Sequence, residues 1–449
     1  MNTAWRQPAL LVAAVIAGYA NSLSGAFQFD DFNVIVGSAQ VHSLDAWRAG
    51  LAGGLRPLLK LSYALNWMAG PAPAGFHVFN LLVHLVNAGL VYALARIFCQ
   101  HAMPHRDGDW IALVTSLLFA LHPVHTEAIT YISGRSSSLM TMFYLAALWT
   151  YARWTRAGAI PGFLRFASLC LFLLALLVKE SAMLFVFALL VWEWVWRTPW
   201  RIVASRQWRY WLLAGVAALA LLLHPGYSML MWNSIHLRSL GEAFATQLLG
   251  AAVLLGKLLW PAALNIDPDQ ANIGSVGAML PYVAGLLLLL ALAWGSRASR
   301  PWISLGLMWA LVHLLLLNTV FPRVDGVNER QLYWADWGLF LIVAAEIEAW
   351  FTRPMARAAV ALLVCALLVV TIARNDVYRS EIALWEDTAS KSRNKARAHN
   401  NLGYAYSLAG REEDARNAYR EALRLDPGYD KAANNLLRLP GGRTGRGPG

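Results

Sequence analysis

Asp30 and Asp31 stand side by side in Gly25-Ala-Phe-Gln-Phe-Asp-Asp-Phe32, about one turn past an apolar stretch, Leu10 to Leu23, that can enter a bilayer. A carboxylate at the rim of a membrane span is costly unless water, a cation or a substrate meets it, which makes the pair a candidate site. The chemistry open to it is general-base work, taking the proton from a hydroxyl nucleophile. An ordinary solvated loop would show the same two letters, so the weight falls on which other residues can reach them.

Those partners recur at the ends of later apolar runs. Arg56, in Gly54-Leu-Arg-Pro57, precedes an amphipathic stretch from Leu58 to Trp67 that suits the membrane interface. His77, Asn80, His84 and Asn87 share one helical stripe, with His77 at the outer end as the substrate-facing candidate and the rest suited to interhelical hydrogen bonds. Leu121-His-Pro-Val-His-Thr-Glu-Ala128 brings His122, His125 and Glu127 to the mouth of a span. Their ligand chemistry admits a divalent metal, but Pro123 disturbs the turn that would align them, so substrate contacts or structural hydrogen bonds rank ahead; no cofactor is certain, and a divalent metal stays open. Arg135, in Ser133-Gly-Arg-Ser-Ser137, opens a helix whose N-terminal donors would suit a phosphate. Lys179 beside Glu180, and Glu329, Arg330 and Tyr333 in Asn328-Glu-Arg-Gln-Leu-Tyr333, complete the set. Asp267-Pro-Asp269 and Asp107-Gly-Asp109 are three-residue matches to Asp-x-Asp and are discounted.

The elements that must hold these groups are membrane helices. Of 449 residues, 58% are hydrophobic and 14% charged, with a mean hydropathy of +0.45, which excludes an ordinary soluble domain. The net charge of +11 is spread over short loops between apolar runs (Arg153, Arg156 and Arg165; Arg197, Arg201, Arg206 and Arg209; Arg297 and Arg300; Arg353 and Arg357), so it reads as cytoplasmic topology rather than a nucleic-acid footprint. Cys99, Cys170 and Cys365 are far apart and suggest neither a disulfide framework nor a metal knuckle. The first apolar run reads as a retained span rather than a removed signal peptide. Counting from both ends leaves Gly241 to Trp260 with both ends outward, which predicts about eleven crossings plus one re-entrant segment and an outward C-terminus.

After Arg374 the pattern turns soluble. Leu402, Gly403, Tyr406, Ala415, Tyr419, Ala422 and Pro427 occupy the signature places of one tetratricopeptide repeat. The expected organisation is a transmembrane domain over 1–374, a connector helix over 375–395, one and a half repeat units over 396–440 and a disordered tail over 441–449. Because stable arrays need about three repeats, this one is expected to lean on the membrane domain.

Taken in order, Phe29-Asp-Asp-Phe32, Arg56-Pro-Leu, Phe76-His-Val-Phe-Asn-Leu-Leu-Val-His84, the run ending His-Pro-Val-His-Thr-Glu-Ala128, Ser133-Gly-Arg135 and Glu329-Arg-Gln-Leu-Tyr333 resemble the transmembrane and tetratricopeptide-repeat O-mannosyltransferases and their bacterial relatives. The resemblance runs from about residue 27 to 438. It implies an all-α, polytopic, GT-C-type helical bundle with a short repeat hairpin, acting as a glycosyltransferase on the non-cytoplasmic side of a bacterial cytoplasmic membrane. It further implies a polyprenyl-phosphate sugar donor, a protein or glycan hydroxyl as acceptor, and a base at Asp30 or Asp31. The expected phosphate clamp is Arg135, Arg330 and Lys179; the expected sugar or acceptor contacts are Arg56, His77, His122, His125, Glu127, Glu329 and Tyr333. The repeat is far shorter than in eukaryotic members, which leaves both mannose and a folded protein acceptor open. Two rival readings use the same residues: a transporter for a lipid-linked sugar, and an envelope scaffold that binds a protein partner through the repeat.

Overall fold

Apolar chain in lipid must satisfy every backbone N–H and C=O internally, and helices are the way a single segment does so. In the computed structural model, which describes residues 6–156, 161–237, 239–269, 276–320 and 326–440, the regular structure of the described residues is helical throughout. The expected disordered tail, 441–449, lies outside them. The order is α1 (Arg6–Tyr19), α2 (Leu44–Ala49), α3 (Pro57–Ala69), α4 (Pro73–Ala102), α5 (Gly108–Leu121), α6 (Thr126–Ile129), α7 (Arg135–Arg156), α8 (Pro161–Val178), α9 (Phe185–Val195) and α10 (Trp200–Leu223). Then come α11 (Pro225–Leu237), α12 (Leu240–Leu259), α13 (Val276–Ser296), α14 (Pro301–Val320), α15 (Trp337–Trp350), α16 (Arg353–Val377), the connector α17 (Glu381–Lys391), and α18 (Ala396–Leu408), α19 (Glu412–Leu425) and α20 (Asp430–Arg438).

Among the described residues, four helices are long and apolar enough to cross a membrane, or up to six if two bent pairs each count as one span. That is fewer than the crossings expected from hydropathy. The difference has a physical source: α9 has only 11 residues behind a 3₁₀ turn, and α7 opens on a serine-rich turn buried in protein, so helices shielded by neighbours need not be long or wholly apolar. The centre is knitted by interhelical hydrogen bonds. Ser116 Oγ donates to the Ala88 carbonyl at 2.7 Å, Asn87 Nδ2 to the Ser138 carbonyl at 2.9 Å, and Tyr144 Oη meets His313 Nε2 at 2.7 Å.

The bundle has two unlike ends. At one, arginines pair with acids between neighbouring helices: Arg96 with Asp109 at 2.6 Å, Arg106 with Glu348 at 3.4 Å, Arg206 with buried Glu193 at 3.0 Å, and Arg300 with Glu346 at 3.0 Å. At the other gather the chain after α1, the start of α3, the α5–α7 connection, Lys179, the 3₁₀ turn Glu329–Trp334 and the end of α16. Both halves of α12 are tied to this second end. Gln247 Nε2 donates to the Gly326 carbonyl at 3.2 Å, and Lys257 Nζ to Glu329 Oε1 at 2.6 Å. Length and composition alone would let α12 cross; its contacts hold both halves beside one connecting loop.

The repeat hairpin sits on the same end. Gly403 lets α18 and α19 approach, since a Cβ there would fall 2.7 Å from the Tyr419 ring. Tyr131, Ile266, Tyr378, Leu384, Trp385 and Ala405 form one apolar cluster that joins the bundle, the connector and α18. Asp267 adds ion pairs to Lys395 and Arg397. One and a half repeats therefore gain from the bundle the buried face that further repeats supply in long arrays.

Candidate functional site

The two neighbouring aspartates have separate jobs. Phe29, at φ 46°, takes the left-handed conformation that residues other than glycine seldom adopt, and its ring meets Trp385 edge-on at 5.2 Å. Past this bend Asp31 is fully buried, accepting hydrogen bonds from the Gln28 N–H at 3.0 Å, the Ser133 N–H at 2.8 Å and the Ser133 hydroxyl. It fastens the first loop to the α5–α7 connection. Asp30 is half-buried, its own N–H donating to Tyr131 Oη at 3.0 Å, and it borders two hollows. Of the pair, only Asp30 is placed to meet a substrate.

Burial raises the Asp31 carboxyl to about 7, against the pull of its hydrogen bonds. A folded-state pKa above the unfolded one means the folded chain holds the proton longer, so this stabilising contribution is full below the unfolded value and is lost as pH rises through about 7. The difference in thermal midpoint between wild type and Asp31→Asn in detergent should therefore be more favourable to wild type at pH 4.5 than at pH 8. The opposite trend would contradict the assignment.

The first hollow, of about 570 Å³, is lined by Asp30, Tyr63, Ser133, Ser136 and four cationic side chains, Arg56, Lys60, Lys179 and Arg330. Each cation is held. Arg56 makes a bidentate pair with Glu180 at 3.0 and 2.8 Å, and Lys60 donates to Gln40 Oε1 at 2.6 Å. Lys179 Nζ donates to Ser137 Oγ at 2.9 Å and lies 5.3 Å from the Trp334 ring centre. The Arg330 N–H donates to Glu127 Oε2 at 3.0 Å, and its Nε lies 3.5 Å from Glu127 Oε1. Four cations against one lining carboxylate make a concavity complementary to a phosphate. The second hollow, about 230 Å³ and more enclosed, shares Asp30 and Arg330 with the first and adds Phe29, Glu127, Tyr131, Ile266, Asp267, Asn328, Trp385 and Arg397.

Several expected site residues lie elsewhere. Arg135, expected in the phosphate clamp, is fully buried and spends its guanidinium on protein: Asn80 Oδ1 at 2.7 Å, the Ser62 carbonyl at 3.2 Å, the Phe76 carbonyl at 3.1 Å, and the rings of Tyr63, Phe76 and Phe79 within 5.4 Å. It staples α3, α4 and α7, because neutral acceptors and ring faces there offer what a ligand would. His77 contacts the Gly25 carbonyl at 3.2 Å rather than a hollow. His122 meets the Leu258 carbonyl at 3.0 Å and His125 meets Asp336 at 2.9 Å, both buried and both off the lining. Glu329 is buried against Lys257, and Tyr333 against His84 at 2.7 Å and Asn87 at 3.1 Å. Hence His122, His125 and Glu127 do not converge, and no group of three His, Cys, Asp or Glu able to hold a metal ion occurs among the described residues. Arg56, Lys179, Arg330 and Glu127 do reach the hollows.

Gly134 explains why the Ser-Gly-Arg segment admits no side chain at its centre: a Cβ there would fall 2.1 Å from the Glu127 carbonyl oxygen. That neighbour is backbone and cannot swing aside, so Gly134→Ala should destabilise the protein by about 1–3 kcal/mol or more, read as a lower thermal midpoint.

Reading the sequence missed Lys60, Tyr131, Asp267, Trp385 and Arg397. For Lys60 a signal existed, since it lies four residues after Arg56 on the amphipathic stretch and so shares its face. Asp267 is visible in Asp-Pro-Asp, a match discounted on sequence; in the structure it receives Lys395 and Arg397 of the repeat region.

A tetratricopeptide-repeat family model matches residues 396–429. Over 96% of its length the chain is 26% identical to human Protein O-mannosyl-transferase TMTC1, of which it covers 56%. Over 94% it is 25% identical to Protein O-mannosyl-transferase F38B6.6 of Caenorhabditis elegans, of which it covers 63%. The chain thus spans little more than half the length of the curated relatives it matches. Among solved structures it resembles ArnT from Cupriavidus metallidurans, crystallised with undecaprenyl phosphate, with a TM-score of 0.48 and 14% identity over 97% of this chain and 78% of that one.

Proposed function

We propose that this multi-pass membrane protein is a glycosyltransferase that moves a sugar from a polyprenyl-phosphate donor to a hydroxyl acceptor. The observation that carries the reading is one carboxylate, Asp30, at the meeting of a hollow lined by four cationic side chains and a second, more enclosed one. Similarity to protein O-mannosyl-transferases along nearly the whole chain supports it.

A polyprenyl-phosphate sugar carries its own leaving group, so two tasks fall to the protein. Arg330, Lys179, Lys60 and Arg56 stabilise the charge that grows on the departing phosphate, as fixed cations in a largely protein-lined hollow. Asp30 takes the acceptor hydroxyl proton as that oxygen bonds to the anomeric carbon and the carbon–phosphate oxygen bond breaks. The arginine-rich end of the bundle suits the cytoplasm, which supports hollows that face the periplasmic side of a bacterial cytoplasmic membrane. On this reading α12 stays at the outer leaflet and does not cross.

The test is direct. Purified protein in lipid, given a panel of polyprenyl-phosphate sugars and hydroxyl acceptors, should consume one donor and raise an acceptor's mass by one sugar residue. Movement of the lipid across the bilayer with its sugar–phosphate bond intact would replace this reading with a transporter.

A further inference from the structure

The two hollows differ in charge, and the difference points to different ligands. In the first, four cations face Asp30, and they still outnumber the carboxylates when Glu180 and Glu127, the partners of Arg56 and Arg330, are counted with it. In the second, Asp30, Glu127 and Asp267 are balanced by Arg330 and Arg397 on its wall and by Lys395, which pairs with Asp267. A balanced lining has no preference for an anion. It does offer closely spaced donors and acceptors, and three aromatic side chains, Phe29, Tyr131 and Trp385. One acceptor is unspent: Glu127 Oε1 is buried and takes no hydrogen bond from the described residues, the Arg330 Nε being 3.5 Å away. Rings that can pack on C–H faces, beside polar groups that can meet hydroxyls, suit a neutral polyhydroxylated ring. At about 230 Å³ the hollow lies below the roughly 300–1,000 Å³ of pockets that take drug-sized ligands, which fits a single sugar.

Resting on the glycosyltransferase reading, we infer that the second hollow is the acceptor subsite, that it takes the terminal sugar of a glycan, and that the repeat hairpin helps select it. Arg397 belongs to α18 and Trp385 to the connector, so the repeat region builds part of the wall instead of waiting beside it. Asp267 fixes that wall: its carboxylate receives Arg397 Nε at 2.7 Å and also pairs with Lys395. Asp30, shared by both hollows, then lies between the donor phosphate and the acceptor hydroxyl, where a base for this transfer must stand.

The full chain in lipid nanodiscs, studied by saturation-transfer NMR, tests this with methyl α-mannoside and a serine- and threonine-containing peptide as probes, each with and without saturating undecaprenyl phosphate. The hexoside should bind alongside the polyprenyl phosphate. In Arg397→Ala its affinity should fall roughly tenfold while that of the polyprenyl phosphate is unchanged, and Arg397→Lys should recover part of the loss. Hexoside binding that Arg397→Ala leaves untouched, its displacement by undecaprenyl phosphate, or binding of the peptide in its place would overturn the subsite. Failure of undecaprenyl phosphate to bind at all would instead strike the donor reading, and this inference with it.

Discussion

Asp30→Asn should cut sugar transfer by roughly 10² to 10⁴ while leaving the protein folded and abundant in the membrane. Asparagine keeps the shape of the side chain and leaves the Asp30 N–H bond to Tyr131 Oη in place, but it cannot take a proton. Positioned general bases contribute roughly 10² to 10⁴ in rate, and the loss in kcat should fall in that range. Donor affinity should change little or improve, because the cations of the first hollow lose their opposing charge. Asp31→Asn offers the contrast that makes the test specific. One asparagine oxygen can still receive Ser133, but the NH₂ group replaces the oxygen that accepts the Gln28 N–H, so this variant should lose stability before it loses chemistry. Full transfer by purified Asp30→Asn would remove the base assignment, and a chemical defect in a fully stable Asp31→Asn would shift it by one residue.

How much of this was legible in the sequence follows from what each signal encodes. Apolar runs and the spacing of Gly403, Tyr406 and Tyr419 report local burial, and they led to a helical bundle with a repeat hairpin. Asp30, Arg56, Lys179 and Arg330 stood out because charge at a helix end is costly wherever it lies. The same rule could not tell Arg135 from Arg330. Both stand in the first turn of a helical segment, yet the first is enclosed by Asn80, two carbonyls and three rings, while the second borders both hollows. That distinction is made by α3 and α4, residues more than 50 positions away in sequence from Arg135. Likewise the His-Pro-Val-His run proved a buried brace: the rule that polar groups within a bundle must be paired predicts partners, and His125 spends its own on Asp336.

The other large effect expected is on stability and concerns Glu329, which touches neither hollow. Its Oε1 receives Lys257 Nζ at 2.6 Å and the Asn265 N–H at 2.5 Å, deep in the protein, with the Lys257 side chain only 9% exposed. Removing one member of a buried ion pair strands the other, so Glu329→Ala should destabilise the protein by about 3–5 kcal/mol in denaturant titrations in mild detergent. The stranded charge and the lost anchor are separable. Asn265 Nδ2 donates to Ser392 Oγ at 2.6 Å, which donates to the Asp267 carbonyl at 2.8 Å, and Asp267 holds Lys395 and Arg397, so the loop that Glu329 pins is also the seat of the repeat. Replacing both partners with apolar residues, Lys257→Met with Glu329→Leu, removes the unpaired charge and should restore most of the stability. It cannot restore the Asn265 anchor, so limited proteolysis near residues 392–396 should stay faster than in wild type. A double variant as unstable as Glu329→Ala would mean the charge was not the cause; one as resistant to protease as wild type would mean the repeat is held without Glu329.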